Sequence, residues 1–212
     1  MFLLKPCKNS KKCTYTQKRA AIFRMCYLFI IIFDTFALQK HDIMQVQIKE
    51  NEILQAAKQG MDAFVDVFYR HILSAIGGEL NAQGMQQLNA DQTTLLAYIT
   101  FRDEVMDGGF IQLIHNGYGP FIFLNPFAKA MRLWGAKDFC NLVYKGRKLF
   151  EKYNDELTAE CTDEEFMALF EQYPEFDELD DAFVEMEEDV TETVARYIDE
   201  HLENFAEIEK GV

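Results

Sequence analysis

The feature that most constrains this fold is a run of 33 residues, 177–209, which contains neither glycine nor proline. At 100° per residue, its apolar side chains fall on one face and most of its acidic side chains fall on the opposite face. The pattern predicts one long amphipathic helix of about 50 Å. Its apolar face consists of Phe183, Met186, Val190, Val194, Tyr197, His201, Phe205 and Ile208.

The opposite face is acidic, and only Arg196 interrupts it; it comprises Glu178, Asp181, Glu185, Glu188, Asp189, Glu192, Asp199, Glu203 and Glu207. Such a face is ordinarily a solvated one, but two details favour recognition by a partner. Glu203, Glu207 and Glu209 near the predicted C-terminal end oppose the helix dipole at roughly 0.3–1 kcal/mol each. The acids also lack lysine partners four residues away. The run carries 14 acids, about one per 3.5 Å, and one strand of DNA carries one charge per 3.4 Å.

The chain between Met44 and this run also has helical periodicity, without strand-like alternation. Two capping boxes, Asn89 with Gln92 and Thr162 with Glu165, predict helix starts. Paired or single glycines predict helix ends. The predicted helices cover residues 50–77, 89–107, 110–115, 126–134, 136–154 and 166–170. We therefore predict an all-α fold, a compact multi-helix bundle with a long acidic C-terminal helix.

Residues 1–43 differ in character from the rest, with eight Lys and Arg against two acids and a short apolar run at 27–33. That run is too short to span a membrane. We interpret the segment as the translation of an upstream region, with Met44 as the true start. A signal peptide and a genuine or disordered extension are the alternatives. Residues 44–212 are then predicted to form a single domain.

Charge is distributed unevenly along the chain, whose net charge is −14. Residues 44–150 carry ten bases and ten acids, whereas residues 151–212 carry three bases and 23 acids. Such an acidic end repels nucleic acid and anionic membranes and attracts basic partners. The five cysteines are odd in number and form no C-x-x-C pair, so we expect no disulfide framework, no zinc site and no cofactor. A reducing, cytoplasmic location fits this composition.

Three other groups of residues are alternative candidate sites. Asp103, Glu104 and Asp107 could hold a metal or serve acid–base chemistry, but they also suit a helix end with a glycine cap. The enzyme alternative uses Glu104, Asp107 and His115, a histidine beside a turn that could act as a general base. The glycines of residues 117–120 lack a phosphate-loop spacing and predict a structural turn. An apolar groove near Phe121, Phe123 and Phe127 would make the protein an interaction or scaffold module whose acids serve only solubility.

A motif begins at Glu104 and reads E-V-M-D-G-G-F-I-Q, followed by an asparagine and a glycine-bearing turn; its positions are Glu104, Gly108, Gly109, Phe110, Gln112 and Asn116. Here the sequence resembles the bacterial DNA mimic protein 19 family, whose C-terminal domain was also catalogued as a domain of unknown function. The resemblance extends over residues 50–208. Asp107 departs from the asparagine that is usual in the family.

The resemblance implies a monomeric or dimeric all-helical protein whose negative surface occupies the DNA-binding face of a helix-turn-helix repressor. It implies a structural role for the motif, whose glycines cap a helix while Phe110 packs inward. Our hypothesis is a non-enzymatic interaction protein. Its acidic face would engage a basic transcription factor or nucleoid protein, without binding nucleic acid or membranes itself.

Overall fold

A computed structural model describes residues 44–210, so our interpretation of residues 1–43 lies outside the described residues. The predicted all-α bundle is confirmed in this part of the chain. None of its helices is long and apolar enough to cross a bilayer. In chain order, the elements are β1 (Gln47–Lys49), α1 (Glu50–Gln59), α2 (Met61–Ala75), α3 (Ala82–Met85), α4 (Ala90–His115), α5 (Gly119–Phe123), α6 (Phe127–Trp134), α7 (Lys137–Leu157), α8 (Asp163–Gln172), a 3-10 turn (Pro174–Phe176), α9 (Asp177–Glu200), α10 (Leu202–Phe205) and β2 (Glu207–Glu209).

Helix α4 is the central element of the bundle. Its start is the predicted capping box, in which Asn89 accepts from the N–H of Gln92 at 2.8 Å and the Gln92 side chain accepts from the N–H of Asn89 at 3.1 Å. The helix is broken where the sequence predicted, at Gly108 and Gly109, whose backbone angles are not helical. Gly109 has a φ of +71°, which glycine adopts without steric cost.

The core is built from aromatic rings that α4 brings together with its neighbours. The ring of Phe101 lies 4.9 Å from that of Phe183 on α9, 5.0 Å from that of Phe139 on α7 and 5.3 Å from that of Phe110 beyond the kink. All four rings are buried and meet edge to face or tilted, which is the favoured geometry for aromatic pairs. Helices α7 and α9 are therefore held against the same face of α4.

The predicted helix over residues 50–77 was wrong in one respect, because Gly60 divides it into α1 and α2. Gly60 has a φ of +127°, outside the helical region. The break lets the two helices pack on each other, and His71 Nε2 lies 3.0 Å from Glu52 Oε1. In a continuous helix these residues would be about 28 Å apart.

The predicted end of the last helix was also wrong. Helix α9 stops at Glu200 and not at residue 209, because the chain turns at His201 (φ −138°, ψ 39°). The turn buries Phe205 completely, with its ring 5.8 Å from that of Trp134 and 6.2 Å from that of Phe68. Glu203, Glu207 and Glu209 therefore do not lie on the acidic face of a helix and do not oppose its dipole.

A small parallel sheet, which the sequence did not predict, joins the two ends of the described domain. Strand β1 pairs with β2 with Ile48 opposite Ile208. The N–H of Glu207 donates to the carbonyl of Val46 at 2.8 Å, and the N–H of Met44 donates to the carbonyl of Gln87 at 2.8 Å. Three-residue strands are too short to show an alternating pattern, and their partners are separated by 160 positions.

The glycine-rich segment 117–120 is a turn only in its first half. Gly117 has a φ of +86° and provides the reversal that follows α4. Gly119 and Pro120, which we predicted as part of the turn, instead form the first residues of the short helix α5. Proline suits this position because the first N–H groups of a helix have no intrahelical acceptor.

Candidate functional site

Helix α9 presents a row of exposed carboxylates, which we call the acidic row: Glu178, Asp181, Glu185, Glu188, Asp189, Glu192 and Asp199. At 100° per residue these seven positions fall within a sector of about 100°. The first and last members are about 32 Å apart along the helix axis. The structure thus brings seven of the nine predicted acidic residues onto one side of one rigid element.

The other two predicted residues, Glu203 and Glu207, are exposed but lie beyond the end of α9, in α10 and β2. Sequence reasoning missed two exposed acids at the ends of the helix, Asp177 and Glu200. Glu200 lies about 20° from Asp189 around the helix, so the periodicity that identified the row could have included it.

The acidic row makes no short-range ion pairs in the described part of the chain, although the exposed Arg196 lies within its sector. Among residues 44–210, no Lys, Arg or His nitrogen lies within 4.0 Å of a carboxylate oxygen of the row. Elsewhere the protein does pair charges at helical spacing, as in Arg70–Asp66 and Arg147–Glu151, both at 2.7 Å. The negative field of the row is therefore not cancelled by short-range ion pairs.

Ion pairing on α9 occurs at its buried flank and not along the row. Glu187 lies 3.9 Å from Arg102 of α4 and accepts from the Thr191 hydroxyl at 2.8 Å. Thr191 in turn contacts the hydroxyl of Tyr98 at 2.5 Å. Burial raises the pKa of that tyrosine, which keeps it neutral. This chain of contacts attaches α9 to α4 and leaves the acidic row facing outward.

The opposite face of α9 is the apolar face that the sequence predicted. Phe183, Val194 and Ile198 are fully buried and Val190 nearly so. Burying an aliphatic or aromatic side chain of this size contributes about 1.5–3 kcal/mol. This burial helps to fix α9 in place, so the orientation of the acidic row does not depend on the row's own carboxylates.

The motif residues form a hydrogen-bonded network across the kink of α4. Asn116 Nδ2 donates to Glu104 Oε2 at 2.6 Å, and Gln112 Nε2 donates to Asp107 Oδ2 at 2.7 Å and to Glu104 Oε2 at 3.5 Å. Burial raises the pKa of Glu104, and the two amide donors oppose that shift. The network spans both sides of the break between Gly108 and Gly109.

The three residues of the enzyme alternative do not converge on one site. Glu104 and Asp107 meet around Gln112, whereas His115 is buried with its Nδ1 2.8 Å from the carbonyl oxygen of Leu157. The His115 ring also lies 4.6 Å from the ring of Phe166 on α8. Within the described residues, no group of three or more His, Cys, Asp or Glu side chains is placed to hold a metal ion.

The prediction of an exposed apolar groove near α5 was wrong. Phe121, Phe123 and Phe127 are buried, with at most 3% of each residue exposed. The ring of Phe123 lies 5.2 Å from that of Phe150 and 6.3 Å from that of Phe110. These rings belong to the core and are not available to a partner.

The sequence is similar to that of a known protein family and to that of one of its curated relatives. The sequence profile of a family described as DMP19-like protein matches residues 86–201, which include α4 and the whole acidic row. A curated protein, "DNA mimic protein DMP19" of Neisseria meningitidis serogroup B (strain ATCC BAA-335 / MC58), is 35% identical over 127 residues. The match covers 59% of this chain and 77% of that protein.

Proposed function

Since the chain belongs to the DMP19-like protein family, we propose that it acts as a DNA mimic whose acidic row occupies the DNA-binding surface of a basic protein. The observation that carries the proposal is the unpaired, exposed carboxylate row on one rigid helix. The partner is a transcription factor or a nucleoid protein, and the protein acts by occupying its surface and not by catalysis.

Charge density supports the proposal. Seven carboxylates over about 32 Å correspond to about one charge per 4.5 Å, close to the one per 3.4 Å along a strand of DNA. A surface that reads phosphates uses Lys and Arg side chains and helix N-termini. The same donors are able to bind carboxylates, because both groups are anionic oxygen acceptors.

Rigidity supports it as well. Phosphates in a duplex are held at regular spacing, so a protein imitation has to hold its charges without prior ordering by the partner. A flexible acidic tail would lose conformational entropy on binding. The acidic row avoids this loss because α9 is fixed against α4 and α7 by its buried face.

The test is displacement of DNA from purified DNA-binding proteins. A fluorescent operator duplex bound to a helix-turn-helix repressor, and a random duplex bound to a nucleoid protein, are titrated with this protein while anisotropy is followed. We expect the duplex to be released from at least one protein of the panel. If saturating protein displaces no duplex from any of them, the proposal fails.

A pair of charge-matched variants assigns the effect to the row. The triple variant Glu185→Gln, Glu188→Gln and Glu192→Gln removes three charges from it, and we expect at least tenfold weaker displacement, which corresponds to about 1.4 kcal/mol. The control removes three exposed acids elsewhere: Glu50→Gln, Asp138→Asn and Glu156→Gln. Equal weakening by both variants would show that only net charge matters, which contradicts mimicry by the row.

A further inference from the structure

One acid of α9 points away from the acidic row and into the protein. Asp180 is partly buried, about 130° around the helix from the centre of the row. Its Oδ1 accepts a hydrogen bond from the backbone N–H of Phe110 at 2.8 Å. Phe110 is the first residue of the second segment of α4, directly after the kink.

This contact supplies a helix cap from another helix. The first N–H groups of a helical segment have no acceptor within the helix, and an aspartate oxygen is among the preferred acceptors. Such a cap ordinarily comes from the residue just before the segment. Here that residue is Gly109, which has no side chain, and the carboxylate comes from a position 70 residues later in the chain.

Gly109 makes the contact possible in a second way. A Cβ at this position would lie 2.4 Å from Asp180 Oδ2, far inside van der Waals contact. Its φ of +71° is also unfavourable for other residues. The motif glycine thus provides both the sharp turn and the space into which the carboxylate fits.

Aromatic contacts reinforce the same junction. Phe176, just before α9, lies with its ring 6.4 Å from that of Phe110, and one turn after Asp180 the ring of Phe183 lies 4.9 Å from that of Phe101. Burial, with Asp177 and Asp181 nearby, raises the pKa of Asp180 to about 6, so its charged form is held there against a cost. An apolar residue would avoid that cost but could not bind the N–H.

We infer that Asp180 is the positioning residue of the acidic row. Its carboxylate binds at the kink between Gly109 and Phe110 and so fixes where the first half of α9 packs against α4. Its effect on partner binding rests on the proposed function, whereas the junction itself does not. The motif and the acidic row are then two parts of one arrangement. The motif residues Gly109 and Phe110 bind Asp180, and this contact orients the acidic row.

The experiment compares three substitutions at one site. Asp180→Ala removes the acceptor, and Asp180→Asn keeps an oxygen at the same place. Asp180→Glu keeps the charge but adds a methylene, which changes the distance between the carboxylate and the helix axis. Backbone amide exchange is followed by NMR for Phe110, for residues 181–188 and, as a reference, for Tyr98 in the first half of α4.

We expect Asp180→Ala and Asp180→Glu to lower protection of Phe110 and residues 181–188 at least tenfold relative to Tyr98, with Asp180→Asn close to the parent protein. A uniform loss of amide protection that includes Tyr98 would indicate a general loss of stability and would overturn the inference. So would unchanged protection of Phe110. If Asp180→Ala does not fold, the comparison of Asp180→Glu with Asp180→Asn decides the same question.

Displacement of duplex from the DNA-binding protein is then measured for the same variants. Asp180→Glu leaves the net charge and the residues of the acidic row unaltered. We expect about fivefold weaker displacement, which would then result from the changed position of the row. Full displacement by Asp180→Glu, despite a loosened junction, would overturn the positioning role. If the parent protein displaces no duplex, the proposed function fails, while amide exchange still decides whether Asp180 fixes α9.

Discussion

The indole ring of Trp134 lies flat against the ring of Tyr197, with centroids 4.5 Å apart and planes 14° from parallel. Trp134 is the last residue of α6, and Tyr197 is in the last turn of α9. The indole Nε1 donates to Asp91 Oδ1 at 3.2 Å, and Asn204 Nδ2 donates to Asp91 Oδ2 at 2.8 Å. The C-terminal end of the acidic helix is therefore fixed by a stacked pair, as its N-terminal end is fixed by Asp180.

The first prediction concerns this stack. Trp134→Ala removes a buried ring, its hydrogen bond and the support of Tyr197, and we expect a loss of about 3–5 kcal/mol in the free energy of unfolding. Urea unfolding followed by far-ultraviolet circular dichroism measures it. The control is Leu133→Ala at the neighbouring position, where 77% of the residue is exposed and the change should stay within about 0.5 kcal/mol. Similar losses for the two variants would contradict the role given to the stack.

The second prediction concerns pH. Burial raises the pKa of Asp180 to about 6 in the folded protein, above the ordinary value of 3.8. Between these values the folded state holds a proton that the unfolded state has released, so Asp180 stabilises the fold less as pH rises through this window. Asp180→Asn does not titrate. We therefore expect the stability of the parent protein, relative to Asp180→Asn, to fall between pH 4 and pH 7.

Urea unfolding of the two proteins at several pH values tests this expectation. Other carboxyl groups, including Glu104 with its raised pKa, are present in both proteins and cancel in the difference. A difference in unfolding free energy that does not vary with pH would show that Asp180 titrates normally in the fold.

The third prediction concerns a glycine inside α7. A Cβ at Gly146 would lie 2.4 Å from Phe110 Cε1 and 3.1 Å from Phe123 Cε1. Alanine ordinarily favours a helix over glycine by about 1 kcal/mol, but overpacking a core costs about 1–3 kcal/mol. We expect Gly146→Ala to destabilise the protein, as measured by thermal unfolding. Lys145→Ala, at the neighbouring exposed position, should leave the melting temperature nearly unchanged.

The fourth prediction concerns salt. Exposed charges are screened over about 10 Å at 0.1 M ionic strength. Binding of the acidic row to a basic partner should therefore weaken on the order of tenfold between 50 and 200 mM salt. Titrations at four salt concentrations give the slope of log affinity against log salt. The triple glutamine variant of the row should have a shallower slope, and identical slopes would count against the row as the binding surface.

The fifth prediction concerns the domain boundary, for which we propose residues 44–212 as a single unit. Met44 and Val46 make backbone hydrogen bonds to Gln87 and Glu207. A chain that starts at Met44 should therefore unfold cooperatively with the same midpoint as the full chain. A chain that starts at Glu50 lacks β1 and should unfold at a lower denaturant concentration. Loss of cooperative unfolding in the chain that starts at Met44 would refute this boundary.

Much of the fold was predictable because its signals are local. The capping boxes at Asn89 and Thr162 lie within four residues, and the structure contains both. The left-handed glycine cap at Gly135 is equally local. The true end of α9 was not predictable, since Phe205 and Ile208 keep the helical phase of the apolar face. Their burial and strand pairing with distant residues decide the outcome.

The candidate site, like the fold, has one part that the sequence predicts and one part that it does not. Exposure of the acidic row followed from helical phase alone, and the structure agrees for the seven members on α9. Phase also turns Asp180 inward, but nothing local identifies its partner, the N–H of Phe110, which lies 70 positions earlier. Contacts that depend on how two distant helices pack together cannot be predicted from local sequence.

The pairing of β1 with β2 places the two ends of residues 44–210 side by side. Because the strands are parallel, residue 210 lies level with residue 50, and a linker back to Met44 has to cover about 20 Å, which takes at least about six extended residues. A circular permutant opened between α7 and α8 would keep every contact described above. In that protein the carboxylate-bearing helix would leave the ribosome before helices α1 to α7, against which it packs.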